Sequence, residues 1–196
     1  VICSVVAQCQ TIPKIWHAVD LGRVGPMVAA GIVGVPVGVT LLAHVDAGSF
    51  RLAIGIFLIL FSTVMLVGSG RIKIAWGGRV ADIAIGFGGG ILGGLAGLSG
   101  PLPTMWATLR GWGKDQRRGV FQTFNLVVLA TALLMLAIQG LVTREVLWLV
   151  VWALPGTFSG AWLGHRAYRR LSDQRFTQVV LGLLVISGVT LVWPSL

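Results

Sequence analysis

The stretch Gly86-Phe-Gly-Gly-Gly-Ile-Leu-Gly-Gly-Leu-Ala-Gly-Leu-Ser-Gly-Pro-Leu-Pro103 decides how this chain folds. It lies inside residues 83–109, a run without Asp, Glu, Lys or Arg. As one straight helix that run would be about 40 Å long, more than the hydrocarbon core of a bilayer. It is also broken chemically. Gly97, Gly100, Pro101 and Pro103 crowd into one short segment, and a regular helix does not continue through such a cluster. The spacing predicts a helix from about Val80 to Leu98, a break, and a short helix from about Pro101 to Arg110.

The surrounding sequence repeats the apolar theme. Charge-free runs cover 1–13, 24–43, 52–70, 119–143, 146–165 and 176–196. All but the first are long enough to cross a bilayer, which takes roughly 20 residues. Of the 196 residues, 56% are hydrophobic, 11% are charged and 28 are Gly, and mean hydropathy is +0.90. These values exclude a disordered chain, a disulfide scaffold and an ordinary soluble domain. The fold class is all-α, a polytopic helical membrane protein. The net charge of +9 sits in short loops between apolar runs. It reads as positive-inside bias, with no nucleic-acid partner. Trp16, Trp76, Trp112, Trp148 and Trp193 fall near span ends, as an interfacial belt.

A shift of 126 positions aligns two parts of the chain. It places Gly34 on Gly160, Gly38 on Gly164, Phe50 on Phe176, Leu60 on Ile186 and Met65 on Leu191. Equivalent loops carry opposite charge bias. In the first copy the flanks hold Lys14 and Arg23, then Arg71, Lys73 and Arg79, while the middle loop has Arg51 offset by Asp46. In the second copy, Arg110, Lys114, Arg117 and Arg118 lie in one loop and Arg166, Arg169, Arg170 and Arg175 in another. Between them, Arg144 is offset by Glu145. Two copies of opposite orientation make an inverted-topology repeat. Residues 1–196 then form a single membrane domain, with 1–70 as the first repeat and 71–196 as the second. The first copy lacks a counterpart of block 80–118, so roughly 45 further N-terminal residues are expected. Both flanks of 80–110 are basic, which favours a helical hairpin turning at the break. The alternative is a single crossing followed by a short interfacial helix.

The break is the candidate site. A helix starting at Pro101 turns its N-terminal N–H groups and positive dipole end towards Gly97–Gly100. With Ser99, Gly100 and Thr104 this makes an anion cradle of backbone donors and hydroxyls. The alternative is a proline kink packed on a neighbour. Gln122 and Asn125, three residues apart on the next span, either bond a substrate oxygen or tie helices together. Asp82 either carries a coupling proton or is an interfacial charge near a helix N-terminus. Ser62 and Thr63 are expected to bond their own helix backbone. The Gly-xxx-Gly spacings, 89 to 93, 90 to 94 and 93 to 97, let helix backbones approach closely. Residues 88–93 also match GxGxxG, but without a preceding strand the match carries no cofactor. Cys3, Cys9, His17, His44 and His165 have no metal-ligand spacing, and no catalytic set appears, so neither a cofactor nor an enzyme is expected.

The Gly86–Pro101 block, followed by Leu109-Arg110-Gly111-Trp112 and Lys114-Asp115, resembles the TauE/SafE family of sulfite and organosulfonate exporters. Many members have Pro after the Gly-Trp pair, where this chain has Gly113. The resemblance implies two related halves and a small anionic substrate built on a sulfonate, sulfite, related oxyanion or carboxylate. The function expected is a secondary-transport permease in a bacterial-type inner membrane, with lipid as its other partner and its oligomeric state open. The alternative is a noncatalytic membrane subunit or transport-incompetent fragment of such a permease. A channel would want polar rings at several depths, and one polar cluster is present.

Overall fold

The computed structural model describes residues 1–11, 21–68, 77–170 and 173–193. Lys14, Trp16, His17, Arg71, Lys73 and Trp76 lie outside them. The described residues contain no strand. They form α1 (Ile2–Thr11), α2 (Leu21–Leu42), α3 (Ala47–Gly68), α4 (Gly78–Ala96), α5 (Pro101–Leu109), α6 (Lys114–Ile138), α7 (Arg144–Arg170) and α8 (Asp173–Val192). Among the described residues, five stretches are long and apolar enough to cross a membrane: Val24–Leu42, Ala47–Leu66, Gly78–Ala96, Gln116–Ile138 and Arg144–Gly164.

Several helices run past their apolar stretch. Arg166, Arg169 and Arg170, expected in a loop, lie in the last turns of α7, and Lys114, Arg117 and Arg118 open α6. Charge ends the membrane-compatible stretch, but Arg and Lys are good helix formers, so the backbone continues into the polar zone. The Arg166 guanidinium lies 5.4 Å from the Trp162 ring one turn earlier. At α3, Asp46 sets the start: its Oδ1 accepts the N–H groups of Gly48 and Ser49, each at 2.9 Å.

The chain divides into two compact units, Val1–Ala43 with Lys73–Phe158, and His44–Ile72 with Ser159–Leu196. Each draws on both expected repeats. In the first, α2 and α4 lie backbone to backbone. A Cβ at Gly86 would overlap the Met27 carbonyl and one at Gly90 the Gly31 carbonyl. At Gly94 it would stand 2.5 Å from the Val35 carbonyl oxygen. The contacts advance in the same sense along both helices, so α2 and α4 are parallel. The other glycine stripe of α4 faces α6, where Gly89 meets Phe124 and Gly93 meets Val128. This register also advances in the same sense, so α6 is parallel to α4. Phe124, Met27, Val35, Val128 and Ala132 are fully buried in the resulting core. The Gly-xxx-Gly spacing thus serves two neighbours at once, as a four-residue spacing on one helix face allows.

The second unit holds α3 and α8. A Cβ at Gly55 would lie 2.6 Å from Val192 and 2.8 Å from the Gly188 carbonyl oxygen. One at Gly188 would lie 2.8 Å from both the Gly55 carbonyl oxygen and Ile59. Because each Cβ leans towards its own N-terminus, these contacts fit only antiparallel helices. Of the two expected backbone-bonded hydroxyls here, Thr63 Oγ1 donates to the Ile59 carbonyl at 2.8 Å. Ser62 Oγ is buried without a hydrogen bond.

Candidate functional site

The break falls where the glycines and prolines place it. Gly97 closes α4 with φ +68°, a left-handed conformation natural to glycine. Its N–H donates to the Gly93 carbonyl at 3.0 Å and that of Leu98 to the Leu92 carbonyl at 3.2 Å, satisfying two C-terminal acceptors of α4. Pro101 then opens α5.

The chain turns back at this point. Ser99 lies against Gly93, Leu102 against Gly88 and Pro103 against Gly89. Further along, the Trp106 indole N–H donates to Asp82 Oδ1 at 2.6 Å. As α5 advances, its partners recede along α4, so the pair is an antiparallel hairpin and not a straight continuation. The start of α4, the end of α5 and the start of α6 therefore share one end of this unit, with Arg79, Arg110, Lys114, Arg117 and Arg118. The break meets α6 at Asn125 and Phe121, inside the Gln116–Ile138 apolar span.

Around the turn, the expected site residues take distinct places. Ser99 is fully buried and its hydroxyl donates to Asn125 Oδ1, joining the break to α6; Asn125 is 8% exposed. Gly100 faces the Phe121 ring of α6, which a Cβ there would overlap. The Thr104 hydroxyl donates back to the Gly100 carbonyl at 2.8 Å. Because Pro101 and Pro103 have no N–H, the first turn of α5 offers the Leu102 N–H, with those of Ser99 and Gly100 just before it. The Gln122 Oε1 is buried without a partner, as is the neighbouring Thr123 Oγ1. Asp82 stands apart from this group, at the basic end of the hairpin, buried beneath Trp106.

Two residues escaped the sequence reading. Phe121 fills the space opposite Gly100. Trp106 is the partner of Asp82, and the Arg110 guanidinium lies 5.7 Å from its ring. An antiparallel hairpin centred on the break would have put Trp106 near the start of α4; its place inside a short helix hid that role.

Comparison with known proteins settles the family. The model of the sulfite exporter TauE/SafE family matches residues 1–191. The chain belongs to the TauE/SafE family. No curated protein sequence and no solved structure matches it. TauE/SafE proteins are exporters and not enzymes, so this TauE/SafE chain is a multi-pass membrane transporter of the sulfite or sulfonate type. That family and these helices fit a small anionic substrate and a lipid bilayer. Among the described residues of this TauE/SafE chain, no cluster of His, Cys, Asp and Glu could hold a metal ion.

Proposed function

We propose that this chain is a secondary transporter that binds the head group of a sulfite, sulfonate or carboxylate anion at the Gly97–Thr104 break, in a bacterial-type inner membrane. The observation that carries the reading is the buried Ser99–Asn125 hydrogen bond beside the N-terminus of α5. Non-helical backbone at mid-span is tolerated where protein packs it or where it lines a cavity. An N-terminal dipole end and N–H groups there favour an anion, and no carboxylate of the described residues opposes it at that level. Gln122 supplies a further polar group one turn from Asn125. Asp82 lies nearer the basic end, in reach of a proton from that side, and is the candidate coupling group.

An inverted repeat gives such a site alternating access. The antiparallel packing of α3 and α8 supports it. The contacts of Gly55 and Gly188 join 55–59 of α3 to 188–192 of α8, and α3 and α8 are the helices that the 126-residue shift superimposes, Leu60 on Ile186. The basic end of the hairpin is then cytoplasmic.

The deciding experiment is sulfite flux in proteoliposomes holding the purified chain. Flux that saturates with sulfite and falls in Asn125→Leu supports transport through this site. Protein that inserts and stays folded but moves no sulfite returns the chain to the role of a noncatalytic membrane subunit.

A further inference from the structure

We propose that Ser99 is a positioning residue that fixes the polarity of Asn125, turning the amide so that its NH2 group and not its carbonyl meets the substrate. The inference rests on the site reading above and deepens it. An Asn amide presents an acceptor on one side and two donors on the other, and a free amide offers both faces. Here Ser99, with 0% exposure, spends its hydroxyl proton on Asn125 Oδ1. The buried Ser99 side chain makes no other hydrogen bond among the described residues; donating to Oδ1 satisfies its proton, whereas accepting from a flipped NH2 would leave that proton unpaired, so the bond favours this rotamer. Nδ2 is held on the same carbon, turned away from Ser99, and the Asn125 side chain makes no other hydrogen bond among the described residues.

The surroundings make this choice consequential. Asn125 is buried, and Phe121, one turn earlier on the same face of α6, covers Gly100 with its ring. Hydrogen bonds gain strength where water is excluded. The Ser99–Asn125 bond joins α6 to the start of α5, so the amide NH2 of Asn125 on one element and the N–H groups of Ser99 and Gly100 on the other both supply donors to the break. The head group that fits them is a fully deprotonated oxyanion, whose oxygens only accept. A protonated, uncharged acid would bring its O–H against N–H donors and be rejected, because a buried donor left without an acceptor is costly. Ser99 in this account touches no substrate; it acts through Asn125.

The test is a double-mutant cycle on sulfite affinity, measured by isothermal titration of the purified full chain in lipid nanodiscs with sodium sulfite in alkaline buffer. Ser99→Ala frees the amide and is expected to weaken binding several-fold in the wild-type background. In the Asn125→Ala background it is expected to change nothing, because no amide is left to orient. Equal losses in both backgrounds would show a purely structural serine and overturn the proposal. Asn125→Asp supplies the second arm. It keeps an acceptor for Ser99 and replaces the donors by a charged oxygen, so sulfite binding is expected to fall by about tenfold or more. Unchanged binding in a folded Asn125→Asp overturns the proposal, as does a wild-type chain that binds no sulfite. Sulfite flux separates the two readings. Binding with the expected cycle but without flux defeats the transport reading alone, and flux with an additive cycle defeats the positioning role alone.

Discussion

Trp106 donates its indole N–H to Asp82 across the α4–α5 hairpin at 2.6 Å, tying the start of α4 to the middle of α5. The two residues are far apart in sequence, and their bond exists because the chain reverses at Gly97–Gly100. Removing the donor leaves a buried carboxylate without its partner. Trp106→Phe is expected to destabilise the protein by about 1–3 kcal/mol, the cost of an unsatisfied buried group. Asp82→Asn keeps an acceptor for the indole and is expected to cost less. Thermal unfolding in one detergent compares the two; an equal or larger loss in Asp82→Asn argues against the bond as the source.

The hairpin was legible in the sequence, and the Asp82–Trp106 bond was not. Two prolines and two glycines break any helix wherever it packs, and basic residues on both flanks point to a return. How far α5 folds back along α4, and which side chains then meet, depends on packing against α6, which no local pattern encodes. The same limit hid the place of Gly100. Glycine spacing announced close helix contacts, but the neighbour of each stripe, α2 for Gly86, Gly90 and Gly94 and α6 for Gly89 and Gly93, emerged only in three dimensions. Helix ends were misplaced for another reason. Charge marks where the membrane-compatible stretch stops, while α6 and α7 continue as helices beyond it.

The glycine stripe of α4 predicts opposite outcomes for one substitution at two positions. Gly90→Ala drives a methyl group into the Gly31 carbonyl, with backbone on both sides that cannot yield. Such overpacking is expected to cost about 1–3 kcal/mol. Gly182, in α8 and not followed by proline, has open space where its Cβ would stand. Gly182→Ala is expected to stabilise by up to about 1 kcal/mol through helix propensity. Thermal melts of the two variants should move in opposite directions; a harmless Gly90→Ala would contradict the close approach of α2 and α4.

The Gly100–Phe121 contact predicts a rescue. Gly100→Ala alone is expected to destabilise the hairpin, since its methyl group overlaps the Phe121 ring. Shrinking that ring in Gly100→Ala/Phe121→Leu is expected to restore part of the loss, a coupling that neighbouring residues show and distant ones do not. Additive losses in the double variant would mean that Gly100 is required for something other than room for Phe121.

Asp46 makes the start of α3 sensitive to acid. The Ser49 hydroxyl first, then the backbone N–H groups of Ser49 and Gly48, hold its carboxyl below the ordinary value of 3.8. A carboxyl with a depressed folded pKa contributes stability that is complete above the unfolded pKa and lost as pH falls through the folded one. The α3 cap is therefore intact at neutral pH and weakens only below pH 3.8. Hydrogen-exchange protection near Gly48 and Ser49, corrected for the intrinsic pH dependence of exchange, should drop in that range. Asp46→Asn keeps a good N-cap side chain that does not titrate, so its protection should stay flat across the same pH range.

The hairpin also fixes which ends of the first unit face the same way. Since α5 returns along α4 and α6 starts beside its end, positions 79 and 113 share one side, while α6 carries the chain away to position 140. The basic cluster of Arg79, Arg110, Arg117 and Arg118 assigns that shared side to the cytoplasm. After Cys3 and Cys9 are replaced by Ser, single cysteines at these positions can be probed with a membrane-impermeant maleimide on intact cells. Gly140→Cys is expected to label from outside. Arg79→Cys and Gly113→Cys are expected to label only after permeabilisation. The arms of the test separate the two steps of the argument. Labelling of all three with the sides exchanged would leave the hairpin intact and reverse the orientation drawn from charge. Labelling of positions 79 and 113 from opposite sides would mean that the segment crosses the membrane once, and the α4–α5 hairpin would be lost as a membrane structure.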